Sequence, residues 1–199
     1  MSDEDECARA SNNEIIRRYY EATNKYANGA DNDAEIQKIK LLLNQAKITT
    51  DYRRVTVAAR ERRDADGHNS AAIELADGTI ITAETSDLLG PSAALILNAT
   101  KHLAGIDHSI KLIPQAMIEP IQTTKIKYLG SRNPRLHTDE VLVALSVVSQ
   151  ADENCRRALA ELPRLRGCQV HSTVMLSEVD RKIFQKLGVD LTCDPVRKK

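Results

Sequence analysis

Apolar and polar positions recur along this chain with two different periods. In residues 3–28, Ala10, Ile15, Ile16, Tyr19, Tyr20 and Ala22 fall on one stripe while Arg17, Arg18 and Glu21 face away. That spacing predicts an amphipathic helix, ended by Gly29. A second helix is expected from Asp33, with Ile36, Ile39, Leu42, Leu43 and Ala46 at helical spacing. The pair makes an αα hairpin over residues 1–50 whose apolar seam needs a partner, since two helices alone bury too little. From Tyr52 the period shortens. RRVTVAARE alternates as a strand does, and the polar tract 63–69 reads as a loop.

The stretch 71–105, AAIELADGTIITAETSDLLGPSAALILNATKHLAG, organises the rest. Two β-rich runs, 71–75 and 79–83, flank Asp77-Gly78, which predicts a hairpin with a type I′ turn. Thr85, Ser86 and Asp87 are candidate caps, and Gly90-Pro91-Ser92 opens a helix. Leu95, Ile96, Leu97, Ala99 and Leu103 give that helix its apolar face, and Gly105 its stop. A short strand is expected over 109–113, before Pro114, then a helix to about residue 129 with Pro120 in its first turn. Thr138, with Asp139 and Glu140, opens a helix through Ser149, and Asp152 starts another that ends near Pro163. CQVHSTVM reads as a strand, Ser177 as the cap of SEVDRKIFQKLG, and VDLTC as a last strand, which implies a right-handed parallel crossover. The expected architecture is α/β: a three-layer mixed sheet with helices on both faces over 51–199, preceded by the helical hairpin over 1–50.

Composition narrows the function more than it names it. With 199 residues and 42% hydrophobic content the chain can bury a real core, and one Phe and no Trp make that core aliphatic. Lys plus Arg equals Asp plus Glu at 28 each, and aromatic stacking platforms are scarce, which argues against a nucleic-acid partner. A basic stripe joining Arg53, Arg54, Arg60, Arg62 and Arg63 is what that reading needs. The acidic N-terminus is unlike a signal peptide, no run is long enough for a membrane span, and four scattered cysteines fit a cytoplasmic protein. The closing VRKK reads as a solvated tail.

The order of elements resembles the cytidine-deaminase-like fold, in which a β-hairpin feeds a helix whose N-terminus carries part of a zinc site. The family's H-x-E or C-x-E and P-C-x-x-C signatures are absent: DLLGPSA and MIEPIQ stand at the two helix starts. The topology is thus expected without the zinc motif, and no metal or other cofactor is assigned. More specific strings are NEIIRRYYEA, LLGPSAALILNATKHLAGID, IEPIQ, NPRLHTDEVLVALS, LRGCQVHSTVMLSEVD and KLGVDLTCDP. Over residues 13–195 they resemble the C-terminal region of the bacterial domain-of-unknown-function family 1846. The resemblance implies a portion of a longer protein whose N-terminal part carries a segment similar to a phosphate-binding loop; no GxxxxGK[ST] or GxGxxG occurs in this chain. It carries no catalytic role onto any residue here.

The richest candidate chemistry lies in 131–140, where Arg132, Asn133, Arg135 and His137 precede a helix N-terminus. Arginine offers a planar fork for phosphate or carboxylate, free amides at a helix start favour an anion, and histidine exchanges protons near neutral pH. Read blandly, the same loop is a cap with arginines in surface ion pairs. A second candidate is the turn bearing Thr85, Ser86, Gly90 and Ser92; it and the loop make one anion site only where the fold brings them together. Cys168 and His171 lie three apart on a strand and point to opposite faces, and Cys168 and Cys193 read as core residues of neighbouring strands. His171 and Ser172 lack a visible third group, and His68, His102 and His108 read as surface or partly buried histidines. Two functions remain, with no reaction assigned. The leading one is an assembly or regulatory module that works with the N-terminal portion of a parent protein or with another copy of itself. The other is half of an anion-binding enzyme site for a phosphorylated or carboxylated small molecule, possibly a nucleotide, built from Arg132, Asn133, Arg135 and His137 with Ser86 and Ser92 opposite.

Overall fold

The computed structural model describes residues 3–196, so Arg197, Lys198 and Lys199 of the basic tail lie outside the described residues. Helices α1 (Asp3–Ala27) and α2 (Asp33–Gln45) form the expected hairpin. Its seam closes on itself through Ile16, Tyr20, Ala22, Ile36, Ile39 and Leu43, whereas Leu42 is 44% exposed and does not join. The seam's partner is the sheet: α1 lies against the last strand, and the Tyr20 ring sits 4.9 Å from that of His171.

Four strands follow: β1 (Ser70–Glu74), β2 (Ile80–Glu84), β3 (Gln169–Ser172) and β4 (Asp190–Cys193). Their order is β2-β1-β3-β4, with β1 antiparallel to both neighbours and β3 parallel to β4. The parallel pair is joined through α8 (Glu178–Leu187), as the strand–helix–strand pattern implied. The strand period of two separates the faces. Ala71, Ile73, Val170 and Cys193 face α4 (Pro91–Leu103) and α8, packing with Leu95, Ile96 and Phe184 in the main core. Each of these large side chains contributes roughly 1.5–3 kcal/mol on burial. Ala72 and His171 pair across strands and face α1 and α3 (Arg54–Asp66). A second apolar core lies beyond α4. It is built around α5 (Gln115–Lys127), α6 (Thr138–Val148) and α7 (Glu153–Ala160), with Ile113, Ile118, Leu136, Val141, Leu145 and Ala158 buried.

Five local expectations are corrected. The segment RRVTVAARE is helix α3, not a strand: Val55, Thr56 and Ala59 are its buried residues, at offsets of one and four that only a helix places on one face. That helix also absorbs most of the tract expected as a loop, ending at Gly67 with φ +73. Residues 109–113 form no strand. Asp107 Oδ1 accepts from Ser109 N–H and O–H, and the buried Lys101 ammonium donates to the His108 and Ile110 carbonyls, so those backbone groups are satisfied without a sheet. The hairpin turn is not type I′, because Asp77 does not have positive φ. Gly78 N–H returns to Leu75 O and Gly78 alone takes φ +82, a three-residue loop with a glycine bulge. Pro120 is the sixth residue of α5, inside the helix rather than in its first turn, and Pro114 holds the N-cap position. Helix α6 starts at Thr138, as expected, with His137 in the N-cap position.

Candidate functional site

The turn after β2 and the loop before α6 meet. Leu89 and Leu136 form a parallel bridge, with Gly90 N–H donating to Leu136 O at 3.3 Å and Leu136 N–H to Leu88 O at 2.9 Å. Leu136 is a buried member of the second core, so the apolar anchor of NPRLHTDE is what pulls the polar loop onto the start of α4. Around the bridge is a cavity of about 470 Å³, to which Arg132, Asn133, Arg135 and His137 contribute from one side and Thr85, Gly90 and Pro91 from the other.

The predicted residues differ in what they do there. Arg135 Nε donates to the Ser86 carbonyl at 2.6 Å, a second tie between the stretches. Asn133 Oδ1 accepts from Arg135 N–H at 3.2 Å and shapes the loop. Arg132 is exposed at the cavity rim. Ser86 does not line this cavity; its Oγ accepts from the Leu88 and Leu89 amides, and only its backbone reaches Arg135. Ser92 is 1% exposed in the first turn of α4, with no hydrogen-bond partner for its hydroxyl and no place in the lining. The structure thus brings together the four loop residues and leaves the two serine side chains out.

His137 has the most developed surroundings. Its N–H donates to Glu140 Oε2 at 2.7 Å, and the buried Lys125 ammonium meets the same oxygen and the Arg135 carbonyl, each at 2.7 Å. The ring's Nδ1 lies 3.2 Å from Oδ2 of Asp180, a residue of α8 that is 1% exposed. Asp180 Oδ1 also accepts from Thr138 N–H at 2.9 Å and Thr138 O–H at 2.7 Å, and Oδ2 from Ser177 O–H at 2.8 Å. Burial pushes the Asp180 carboxyl up, but these donors outweigh it and hold the group well below the usual carboxylate range. An ionised Asp180 can only accept, which assigns the proton of the neutral imidazole to Nδ1 and leaves the Nε2 lone pair as its acceptor. A histidine oriented by a buried carboxylate is one arrangement that supports proton transfer.

Sequence reasoning missed Asp180, although Ser177-x-x-Asp180 has the spacing of a helix-capping pair and Asp180 N–H does return to Ser177 Oγ at 3.2 Å. It also missed the polar layer under α1 and α3. There Arg60 donates to Asp194 at 2.6 Å and to Tyr20 Oη at 3.0 Å, and His171 Nδ1 lies 2.9 Å from Thr192 Oγ1. Burial lowers the His171 pKa while Asp194 pulls it the other way, and hydrogen bonds from His171 and Arg60 hold the Asp194 carboxyl below the usual range despite its burial. Cys168 and Cys193 are buried in the main core, and His68, His102 and His108 are exposed, as expected. Arg53 leaves the basic stripe altogether: its side chain is buried, with Nη1 2.9 Å from Asp190 Oδ2. Among the described residues no helix is long and apolar enough to cross a membrane.

Residues 51–199 match a family model described as domain of unknown function DUF1846, C-terminal, and residues 1–47 match its N-terminal counterpart. Both parts are represented, which corrects the expectation of a C-terminal region alone. The chain is 48% identical over 195 residues to UPF0371 protein cu0538 of Corynebacterium urealyticum, covering 98% of this chain and 39% of that protein. It is 49% identical over 196 residues to a UPF0371 protein of Corynebacterium aurimucosum, covering 98% and 39%. With UPF0371 protein str1377 of Streptococcus thermophilus it shares 42% over 195 residues, 98% of this chain and 40% of that one. The chain therefore spans well under half the length of these curated relatives.

Proposed function

Because the chain belongs to the DUF1846 family, whose matched members extend well beyond it, we propose that it supplies one side of a binding site for a small phosphorylated or carboxylated molecule. In this reading Arg132 and Arg135 attract the anion and His137, steered by Asp180, gives or takes a proton. The observation that carries it is the cavity at the Leu89–Leu136 bridge, where the loop and the opening turn of α4 face each other. Ser86 and Ser92 act only indirectly, as a backbone anchor and a buried turn residue. The rest of the longer family architecture closes the site over the cavity. The order in which the β1–β2 hairpin feeds α4 supports kinship with the deaminase-like arrangement, without its zinc ligands.

The test is calorimetric titration of the chain with inorganic phosphate, acetate and adenosine monophosphate. One anion class is expected to bind saturably, Arg132→Ala to weaken it about tenfold, the loss of one charge-assisted contact, and the fold to stay intact because Arg132 is exposed. Absence of binding at millimolar concentration, or binding indifferent to Arg132, refutes the reading.

A second reading keeps the chain as an assembly or regulatory module, with residues 1–50 and 51–199 as its two units. It is favoured by exposed apolar residues on and after α5 and on α6: Ile126 at 43%, Tyr128 at 70%, Leu129 at 74%, Val143 at 66% and Val147 at 57%. Light scattering that finds only monomer at high concentration removes self-association from it.

A further inference from the structure

The two edges of the sheet are finished differently. β4 is covered by α1, whose Asn24 Nδ2 donates to the Cys193 carbonyl at 2.8 Å. β2 has no such cover. Its ladder with β1 ends in Leu75 N–H to Thr79 O on one side and Thr85 N–H to Asn69 O on the other, in the register of Ile73–Ile81 and Ala71–Ala83. Directly opposed residues of an antiparallel pair alternate between bonded and non-bonded. Ile80, Thr82 and Glu84 therefore turn their N–H and C=O groups outward, away from β1. Of these groups, only the Thr82 carbonyl has a partner among the described residues, Asn98 Nδ2 at 3.1 Å.

A cavity of about 550 Å³ runs along this edge, and all of β2, Ile80–Glu84, lines it. Successive strand residues point to opposite faces, Ile81 into the main core and Ile80 toward α3. A cavity that touches every one of them lies beside the strand, not over one face. Its walls belong to the layers on either side. Asn98, Lys101 and His102 of α4 stand on one, and Arg62 of α3, 3.3 Å from Glu84, on the other. The result is a slot with a row of outward backbone donors and acceptors at its base. Its shape favours a lone strand over a second copy of this sheet. α4 packs more on β2 than on β1, so a copy pairing its own β2 there brings its α4 within two strand spacings, under about 10 Å. The Asn98, Lys101 and His102 side chains of both helices then compete for the same gap.

We propose that the outer edge of β2 is a strand-addition site, filled by an extended segment from the part of the family protein that lies beyond this chain. Main-chain bonds to Ile80, Thr82 and Glu84 supply its affinity, and small or apolar side chains at alternate positions fill the α4 side against Ala94 and Ile106. The chain covers only 39–40% of its curated relatives, so most of their length is free to supply the strand. The N-terminal family segment already stands at that corner of the sheet: Arg9, Ala10 and Asn13 of α1 line a cavity together with Ala76 and Gly78 of the turn into β2. The proposal shares with the anion-site reading only the premise that the longer architecture works on this chain, and its readout involves no anion.

The experiment is residue-resolved amide hydrogen exchange on this chain alone and on the full-length Corynebacterium aurimucosum relative, which covers 98% of it. In the isolated chain the amides of Ile80, Thr82 and Glu84 are expected to exchange at least about tenfold faster than those of Ile81 and Ala83, which are bonded to β1. In the relative, the matching three amides are expected to slow to the rate of their neighbours. Thr82→Pro removes one outward N–H without touching the β1 ladder, at a position where an edge strand tolerates proline. The same change in the relative is expected to return the flanking outward amides to the fast rate, with circular dichroism unchanged. The two unmodified proteins decide the matter even where that variant fails to fold. Equally fast exchange in both proteins overturns the proposal. So does protection in the isolated chain that rises with its concentration, which assigns the edge to a second copy, or protection in the relative that a folded proline variant leaves intact.

Discussion

Asp180→Asn removes a single charge from the centre of the best-formed polar cluster. Asp180 is 1% exposed and accepts from Thr138 N–H, Thr138 O–H, Ser177 O–H and His137 Nδ1 at 2.7–3.2 Å. Asparagine is the same size, and its Oδ1 can keep the two Thr138 bonds. Its amide nitrogen, however, faces two donors. The Ser177 hydroxyl can turn to accept, but His137 must move its proton to Nε2 to do the same. Two charge-assisted bonds are thus replaced by weaker neutral ones, and two more lose their charge. At roughly 1.5–3 kcal/mol for a hydrogen bond to a charged group against about 1 for a neutral one, the four bonds together lose about 2–8 kcal/mol. Asparagine escapes the cost of burying a charge, which offsets part of this, so the expected net loss is about 2–4 kcal/mol at pH 7. For a chain of this size that lowers the melting temperature by roughly 4–16 °C. The pH dependence gives an independent check. Because the folded pKa is depressed, the stabilisation is fully present above the unfolded carboxyl value near ~3.9 and is lost as pH falls through the folded value. Urea unfolding of wild type should therefore weaken steeply below about pH 4, and Asp180→Asn should weaken less steeply over the same interval. Asp194, also depressed despite burial because His171 and Arg60 answer it, and Glu14, held low by Arg17 and Arg18, are among the carboxyls that supply the remaining slope. Equal midpoints at pH 7 together with parallel acid limbs refute the account. Nitrogen shifts of the His137 ring should also report the tautomer change, and an Nδ1 proton retained in the variant counts against the proposed steering.

Three further outcomes test the packing. Arg53→Ala leaves Asp190 without its partner; since the Asp190 side chain is 32% exposed and water can reach it, the loss should sit at the low end for a broken buried pair, about 3 kcal/mol in denaturant unfolding. Ile16→Ala opens a cavity beside Tyr20 and Leu43 and should cost about 2–4 kcal/mol, with hydrogen exchange rising first in α1 and α2 if the hairpin opens as a unit. Gly78→Ala forces a side chain into φ +82, where only the Arg54 guanidinium approaches, at 3.8 Å, so backbone strain dominates. About 1 kcal/mol is expected, and an unchanged thermal midpoint contradicts the bulged turn.

What could be read from the chain alone is what short-range physics controls. The two amphipathic stripes of the hairpin, the Asp77-Gly78 turn position, the Gly90-Pro91 helix start and the Ser177 cap all depend on neighbours within about one turn, and each lies where the pattern put it. The parallel pairing of β3 with β4 followed from the helix between them. Wherever a segment's own pattern was ambiguous, the tertiary structure decided. VTVAA alternates, but its helix lets Val55 and Ala59 meet Ala72 on the sheet, and burial on one face outweighs local strand preference. Residues 109–113 lost their strand to a buried lysine that answers the carbonyls of His108 and Ile110, seven and nine residues downstream of it. The candidate site divides the same way. Residue types in 131–137 announced anion chemistry, yet nothing local tells that Leu136 would zip the loop to Leu89, or that a carboxylate 43 residues downstream would hold the His137 ring. Those contacts join segments far apart in sequence and depend on which faces the two cores bury. They exist only once the chain has folded.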